Sequence, residues 1–278
     1  MHYLILAILS SASITLLMRL SERHRKNPVS MLAMNYLMCC LLSAAFSGGA
    51  SLLPAAEGLP VTLLLGGIAG LLFLGSFVLL QWNVSRNGVA LPATFMKLGV
   101  LVPTVLSAVI FGEKLTVFRI LGVAAAVLAI LLMQGREKKE TGGSIIGLMV
   151  LLLSGGMADF MSKLYEELGD PALNDQFLLY TFLVALVLCV LLCLVKGQRL
   201  CRQDVLFGLL LGIPNYLSTR FLLLAVGSVP AVVAYPTFSI GTIVLVALSG
   251  LCFFGEKLSR RKWIALGVIL CALALLNL

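Results

Sequence analysis

Ten runs of apolar residues, each long enough to cross a lipid bilayer as a helix, dominate this chain of 278 residues. A helix needs about 20 apolar residues to span the hydrocarbon layer. Only 12% of the residues are charged, against roughly 25% in soluble domains, and the mean hydropathy is +1.09. The runs predict ten membrane spans, at residues 1–20, 29–46, 59–82, 89–111, 115–133, 144–164, 177–195, 205–225, 229–254 and 263–278.

The runs are continuous, and this favours helices over strands. A β-barrel also satisfies its backbone hydrogen bonds in lipid, but its sequence would alternate apolar and polar residues over segments of about ten residues. The sequence therefore predicts an all-α polytopic membrane protein.

An internal duplication is visible in the pentapeptide Phe-Gly-Glu-Lys-Leu, which occurs at residues 111–115 and again at 254–258. An offset of 143 or 144 residues relates further matches across most of both halves, such as Tyr36 with Tyr180. A repeat of this length indicates two copies of one structural unit.

The two copies are predicted to cover residues 1–140 and 141–278, with five spans each. Because five is an odd number, the second copy must enter the membrane from the opposite side. The expected architecture is an inverted repeat, which is typical of secondary transporters.

The distribution of positive charge predicts the orientation. Fifteen of the twenty Lys and Arg residues follow odd-numbered spans, and four follow even-numbered spans. Since positively charged loops stay in the cytoplasm, we expect a multi-pass plasma (inner) membrane protein with both termini outside. The basic residues are dispersed among short loops, so no nucleic-acid partner is expected.

Three ionisable residues lie well within the predicted spans: Lys97, Asp159 and Arg220. Each costs roughly 2.5–3.5 kcal/mol at the centre of a membrane helix, so such residues usually face the protein interior and have a function. If all three face one cavity, its net charge is +1. That charge suits a solute with a carboxylate, for example an amino acid.

The three charges also allow other roles. Asp159, the only acid expected well inside a span, is a candidate to bind an amine or to carry a coupled proton. Alternatively, Asp159 and Arg220 form an ion pair that only joins two spans, while Lys97 extends to the membrane surface. Gly99 and Pro103 follow Lys97 and predict a helix that bends easily.

Further candidates for solute contact are polar residues within or at the ends of spans: Tyr36, Tyr180, Asn215 and Tyr235. For each, a hydrogen bond between helices is the alternative.

Glu113 and Glu256 of the pentapeptides are predicted to act as helix caps or ion-pair partners, and Lys163 is expected at the membrane interface. Paired glycines four residues apart predict close helix packing, namely Gly66 with Gly70 and Gly208 with Gly212.

The duplicated five-helix halves, each with a Phe-Gly-Glu-Lys-Leu turn before a final span that carries an early glycine, resemble the drug/metabolite transporter superfamily and its EamA-type exporters. The likeness covers essentially the whole chain, although the first span lacks the tryptophan-glycine pair common in that family. It implies a basket of helices around a cavity open to one side at a time. Members carry amino acids, other metabolites or toxic compounds, and relatives move nucleotide sugars or lipid-linked groups. They are usually drawn with both termini in the cytoplasm, opposite to the charge distribution here.

These observations together predict a secondary transporter of small metabolites or drugs, most simply an exporter, that works as a monomer among membrane lipids. No Gly-x-x-x-x-Gly-Lys-Ser/Thr loop for ATP is present, and no metal or other cofactor is expected. A lipid, lipid-linked sugar or nucleotide-sugar translocase is the alternative. A structural or receptor-like subunit is less favoured, and so is an enzyme, because no intramembrane histidine or acid pair supports catalysis.

Overall fold

The computed structural model describes residues 1–21, 26–47, 54–87, 90–134, 145–198, 200–254 and 260–276. Within these ranges the regular secondary structure is entirely helical. A short 3₁₀ helix covers Pro171–Leu173, and the α-helices are α1 (His2–Ser21), α2 (Pro28–Phe46), α3 (Leu59–Asn87), α4 (Ala90–Leu98), α5 (Leu101–Ile110), α6 (Val117–Gln134), α7 (Ile145–Leu168), α8 (Asn174–Val195), α9 (Arg202–Val226), α10 (Ala231–Phe254) and α11 (Arg260–Leu276).

Eight helical segments in the described part of the chain are long and apolar enough to cross a membrane. Helices α4 and α5 together form one of these segments, Pro92–Ile110. The predicted fifth and tenth spans correspond to shorter apolar helices, Val117–Leu132 and Trp263–Leu276. The prediction of an all-α polytopic membrane protein is confirmed, whereas the inverted relation of the two repeats stays a prediction.

Large apolar side chains lie on the outside of many helices, as expected of surfaces that face lipid. Val195 is 86% exposed and Ile146 is 75% exposed. Small and polar residues are instead frequent among the buried positions, with Ala7, Ala129 and Ser43 at 0% exposure. This distribution is typical of membrane helices, which associate through small residues and hydrogen bonds.

The helices form two compact units. The first unit contains Met1, Gly75–Lys163 and Val226–Leu278, and the second unit contains His2–Leu74 and Leu164–Ala225. Each unit draws helices from both halves of the sequence. The predicted repeat boundary after residue 140 lies outside the described residues and remains a prediction.

In the first unit, α6 packs against α11 and α5 packs against α10. These helices occupy matching positions in the two predicted repeats. Gly122 of α6 allows the close approach, since a Cβ atom there would lie 2.8 Å from Leu276 Cγ and 3.2 Å from the Ala272 carbonyl oxygen.

In the second unit, α2 packs against α8, and paired glycines bring two more helices close. A Cβ atom at Gly70 of α3 would lie 2.5 Å from the carbonyl oxygen of Thr181 in α8, and one at Gly212 of α9 would lie 2.6 Å from that of Asn35 in α2. The close packing predicted from the glycine spacing is confirmed, because the other glycine of each pair also lies against the partner helix: Gly66 against α8 and Gly208 against α2.

Substitution of Gly70 by alanine tests this packing. The added methyl group meets the α8 backbone, so Gly70→Ala should lower the free energy of unfolding by about 1–3 kcal/mol, the usual cost of overpacking. Gly67→Ala is the matched control, because a Cβ atom there has no neighbour within 4 Å. Thermal unfolding of the purified protein in detergent measures both. Equal stability of the two variants would contradict the packing described for α3 and α8.

Candidate functional site

The fourth span is interrupted in the middle of its apolar run. Helix α4 ends at Leu98 and α5 begins at Leu101. Between them the Gly99 N–H donates to both Phe95 O and Met96 O, at 3.1 and 3.2 Å, and the turn tightens. Pro103 explains the interruption, because it has no N–H to donate to the Gly99 carbonyl and its ring crowds that oxygen. Val100 keeps helical dihedral angles (φ −53°, ψ −24°), so the break is a tightened turn within one span, as the easily bent helix expected from the sequence predicts.

Helix α7 lies directly against this break. A Cβ atom at Gly99 would be 3.1 Å from both the Gly156 nitrogen and the Leu152 oxygen, and one at Gly156 would lie 2.5 Å from Val102 Cβ, so glycine at position 156 permits the contact. Asp159 follows Gly156 by three residues and therefore lies on the same face of α7, one turn further along. Gly156 lies against Gly99 and Val102, and Phe160 stacks on Phe111 at 6.0 Å, so α7 runs in the same direction as the fourth span. Asp159 therefore lies on the α5 side of the interruption, whereas Lys97 lies on the α4 side.

Lys97 and Asp159 interact electrostatically within the first unit. Both side chains are partly exposed. No direct ion pair or hydrogen bond between them is present in the described part of the chain, so the attraction acts over a longer distance. A lysine and an aspartate held near each other without direct contact can each accept an oppositely charged group of a ligand.

Tyr235 supports Asp159 from α10. Its hydroxyl group donates a 2.8 Å hydrogen bond to the backbone carbonyl oxygen of Asp159, and the side chain is only 1% exposed. In this conformation Tyr235 joins α10 to α7, which is the helix-to-helix alternative considered for this residue. Helix α10 continues through Pro236.

Arg220 forms its ion pair with Asp175, not with Asp159. The Arg220 Nη2 atom lies 3.1 Å from Asp175 Oδ1 and 3.2 Å from Oδ2. Asp175 is the second residue of α8 and lies in its first turn, at the end of a span, so the expectation that Asp159 is the only acid well inside a span stays a prediction. The apolar run begins at Phe177, but α8 starts at Asn174, after a 3₁₀ turn in which Asp170 accepts a hydrogen bond from Ala172 N.

Aromatic and polar groups surround the Arg220–Asp175 pair in the second unit. The Arg220 guanidinium lies 4.4 Å from the centre of the Phe46 ring, which stacks on Tyr216 at 5.7 Å. The buried Oε1 atom of Gln176 has no hydrogen-bond partner in the described part of the chain. Sequence reasoning missed Asp175 and Gln176, although a polar triplet directly before an apolar run was a signal for both.

The other predicted contact residues of the second unit are largely enclosed by protein. Tyr36 is 3% exposed and Tyr180 is 5% exposed. Tyr36 lies beside Phe182, and the Tyr180 side chain lies against Gly66. Asn215 donates a 3.3 Å hydrogen bond to Asn35 Oδ1 and so joins α9 to α2. Their roles in solute binding stay predictions.

Glu113 of the first pentapeptide caps a helix that is distant in sequence. Its two carboxylate oxygens accept hydrogen bonds from the N–H groups of Ala231 and Val232, each 2.9 Å, at the start of α10. Lys163 Nζ lies 3.4 Å from Glu113 Oε1, and the Lys163 side chain is 6% exposed. Lys163 is therefore buried against Glu113, and its expected position at the membrane interface stays a prediction. Glu256 lies outside the described residues.

A chain whose helices are long and apolar enough to cross a membrane in eight described segments is a polytopic membrane protein. The sequence model of the EamA-like transporter family matches residues 1–134 and 141–278. The chain therefore belongs to the EamA-like transporter family, within the drug/metabolite transporter superfamily.

Two similar proteins extend the comparison. An uncharacterized protein from Haemophilus influenzae is 25% identical over 283 residues, covering 97% of this chain and 94% of that protein. A solved structure described only as the crystal structure of a protein aligns with a TM-score of 0.79 at 15% identity, over 98% of this chain and 94% of that chain. That likeness shows the fold alone.

A double-mutant cycle tests the partner of Arg220. Arg220→Gln and Asp175→Asn should be coupled by about 0.5–3 kcal/mol in the free energy of unfolding, as residues in direct contact are. The cycle of Arg220→Gln with Asp159→Asn is the control and should show no coupling. Thermal unfolding of the single and double variants in detergent measures both cycles. Coupling to Asp159 without coupling to Asp175 would contradict the ion pair described here.

Removal of the Glu113 charge tests the cap of α10. Glu113→Gln should lower the free energy of unfolding by about 3–5 kcal/mol, because the buried Lys163 ammonium loses this carboxylate. Adding Lys163→Met should recover part of the loss, since no buried charge then remains at that place. Denaturation of the three variants gives the values. A Glu113→Gln protein as stable as the wild type would show that the cap contributes nothing.

Proposed function

We propose that this chain is a secondary transporter that moves a small zwitterionic solute, most simply an amino acid, out of the cell. The transport cycle is alternating access between two inverted five-helix repeats, and one chain suffices for it. Membership of the EamA-like transporter family supports transport as such. The substrate, the direction and the mechanism are our inference.

The break beside Lys97 carries this proposal. Lys97 lies in the last turn of α4, and α5 begins three residues after Leu98 with its N-terminal end at the interruption. The N-terminal end of a helix favours negative charge, and broken spans with such ends form the solute sites of known secondary transporters. A solute carboxylate at this place would meet both the Lys97 ammonium and the positive end of the α5 dipole.

Asp159 supplies the complementary charge for an amine. Because Lys97 and Asp159 do not neutralise each other in a direct ion pair, a zwitterion can satisfy both. Within the first unit these two residues carry one positive and one negative charge, so a solute with one positive and one negative group fits better than a simple anion. In the second unit Asp175 balances Arg220.

Energy for transport would come from a gradient or from exchange. Asp159 is then also a candidate for proton coupling, since a carboxylate at this depth is costly to keep charged unless it is paired. The two roles of Asp159 are separable by experiment, because an amine partner is needed for binding and a proton carrier is needed only for gradient-driven flux.

Ligand-dependent thermal stability of the purified protein tests the proposal. A panel of amino acids, amines, organic acids and nucleotide sugars is added to the wild type, Lys97→Met, Asp159→Asn and the control Lys196→Met, an exposed lysine after α8. An amino acid at a hundred times its Kd should stabilise the wild type and the control by about 2.7 kcal/mol. The shift should disappear in Lys97→Met.

Flux into proteoliposomes separates the remaining outcomes. Loss of binding in Asp159→Asn assigns the amine contact to Asp159, and retained binding with lost gradient-driven uptake assigns proton coupling. An amino acid that stabilises the wild type and Lys97→Met equally would overturn the proposed site. Stabilisation by lipids or nucleotide sugars alone would favour the translocase instead.

A further inference from the structure

An apolar groove of about 420 Å³ runs between α5 and α6 on the surface of the first unit. Its walls are almost entirely aliphatic, and several of the lining side chains are exposed, with Val105 at 53%. In a membrane-spanning segment such a groove faces lipid. The residues that form its two walls are Leu101, Thr104 and Val105 of α5 and Val123, Ala124 and Val127 of α6.

The end of the groove nearest the loop between the fourth and fifth spans is basic. Leu115 and Ile120 line that end, and two cationic residues, Lys114 and Arg119, adjoin them in sequence. Lys114 is exposed and Arg119 is partly exposed. The Arg119 Nη1 atom donates a 3.0 Å hydrogen bond to the Lys114 carbonyl oxygen, which holds the guanidinium over the turn before α6.

The positive charge at this basic end is available to an anion. Glu113, the acid nearest in sequence, points elsewhere, because its carboxylate is bound to the N–H groups at the start of α10 and to Lys163. The positive charge of Lys114 and Arg119 is therefore not cancelled by their neighbour.

We propose that this groove binds one anionic phospholipid, with an acyl chain between α5 and α6 and the phosphate group at Lys114 and Arg119. An acyl chain fills the groove because an empty space between apolar walls forfeits dispersion contacts on all sides. The charge selects the headgroup, since basic residues at a membrane surface attract anionic lipids.

Native mass spectrometry of the detergent-purified protein tests the site. The protein is mixed with equal amounts of phosphatidylglycerol and phosphatidylcholine that carry the same acyl chains. The wild type should retain phosphatidylglycerol in preference. Arg119→Gln and Lys114→Gln should each weaken this retention about fivefold, the usual contribution of one basic residue near anionic lipid. Arg86→Gln is the control, since Arg86 lies over the Trp82 ring at another helix end.

The groove itself is tested by filling it. Ala124→Trp places a large ring between α5 and α6 and should abolish retention of the bound phosphatidylglycerol. Leu128→Trp is the matched control, because Leu128 is 50% exposed on the same helix and does not line the groove. Thermal unfolding confirms that each variant is folded. If Arg119→Gln does not fold, Lys114→Gln alone tests the role of the positive charge.

Three results would overturn the proposal. Equal retention of both lipids by the wild type would show that the headgroup is not recognised. Unchanged retention in Arg119→Gln, Lys114→Gln and Ala124→Trp would place the lipid elsewhere. Displacement of the lipid by millimolar glycerol phosphate, which has no acyl chain, would make this a site for a soluble phosphate.

Discussion

The first unit depends on which groups accept hydrogen bonds from the N–H groups at the start of α10. The first N–H groups of any helix lack partners within the helix, and in lipid each unsatisfied group costs several kcal/mol. Glu113 supplies both acceptors, for Ala231 and Val232, from the turn after α5. In the second unit Asp204 accepts hydrogen bonds from the N–H groups of Lys26 and Asn27, at 2.9 and 3.3 Å, just before α2 begins at Pro28. In both units a carboxylate from a sequence-distant segment binds backbone N–H groups at or next to the start of a membrane helix.

This constraint extends to the proposed solute site through one continuous set of contacts. Once the start of α10 is fixed, Tyr235 lies one turn into the helix and its hydroxyl group reaches the Asp159 carbonyl oxygen. Asp159 is thereby held on α7, whose Gly156 touches Gly99 at the break of the fourth span. The break in turn positions Lys97. Glu113, an acid that looks like a family signature in sequence, thus acts structurally, while the less conspicuous Lys97 and Asp159 are the residues proposed to bind the solute.

The membrane class and most helix positions could be predicted because lipid tolerates so few backbone arrangements that apolar run length alone identifies the spans. The break after Leu98 could also be anticipated, since Gly99 and Pro103 act locally. The partners of the charged residues could not. Asp175 lies outside the predicted seventh span because the apolar run begins at Phe177, although the helix starts at Asn174. The ion pair of Lys163 with Glu113 could not be predicted either, because the sequence does not tell which side of α7 Lys163 occupies. Whether the two repeats are inverted, and whether the predicted contact residues bind a solute, stay predictions.

The structure of the protein with a stabilising amino acid bound tests the central claim most directly, because it locates the solute without reliance on a variant. The account predicts a solute carboxylate oxygen at hydrogen-bond distance from Lys97 Nζ, about 2.7–3.2 Å, with the amine directed toward Asp159. A solute bound away from the break in the fourth span, with Lys97 and Asp159 unchanged, would contradict it.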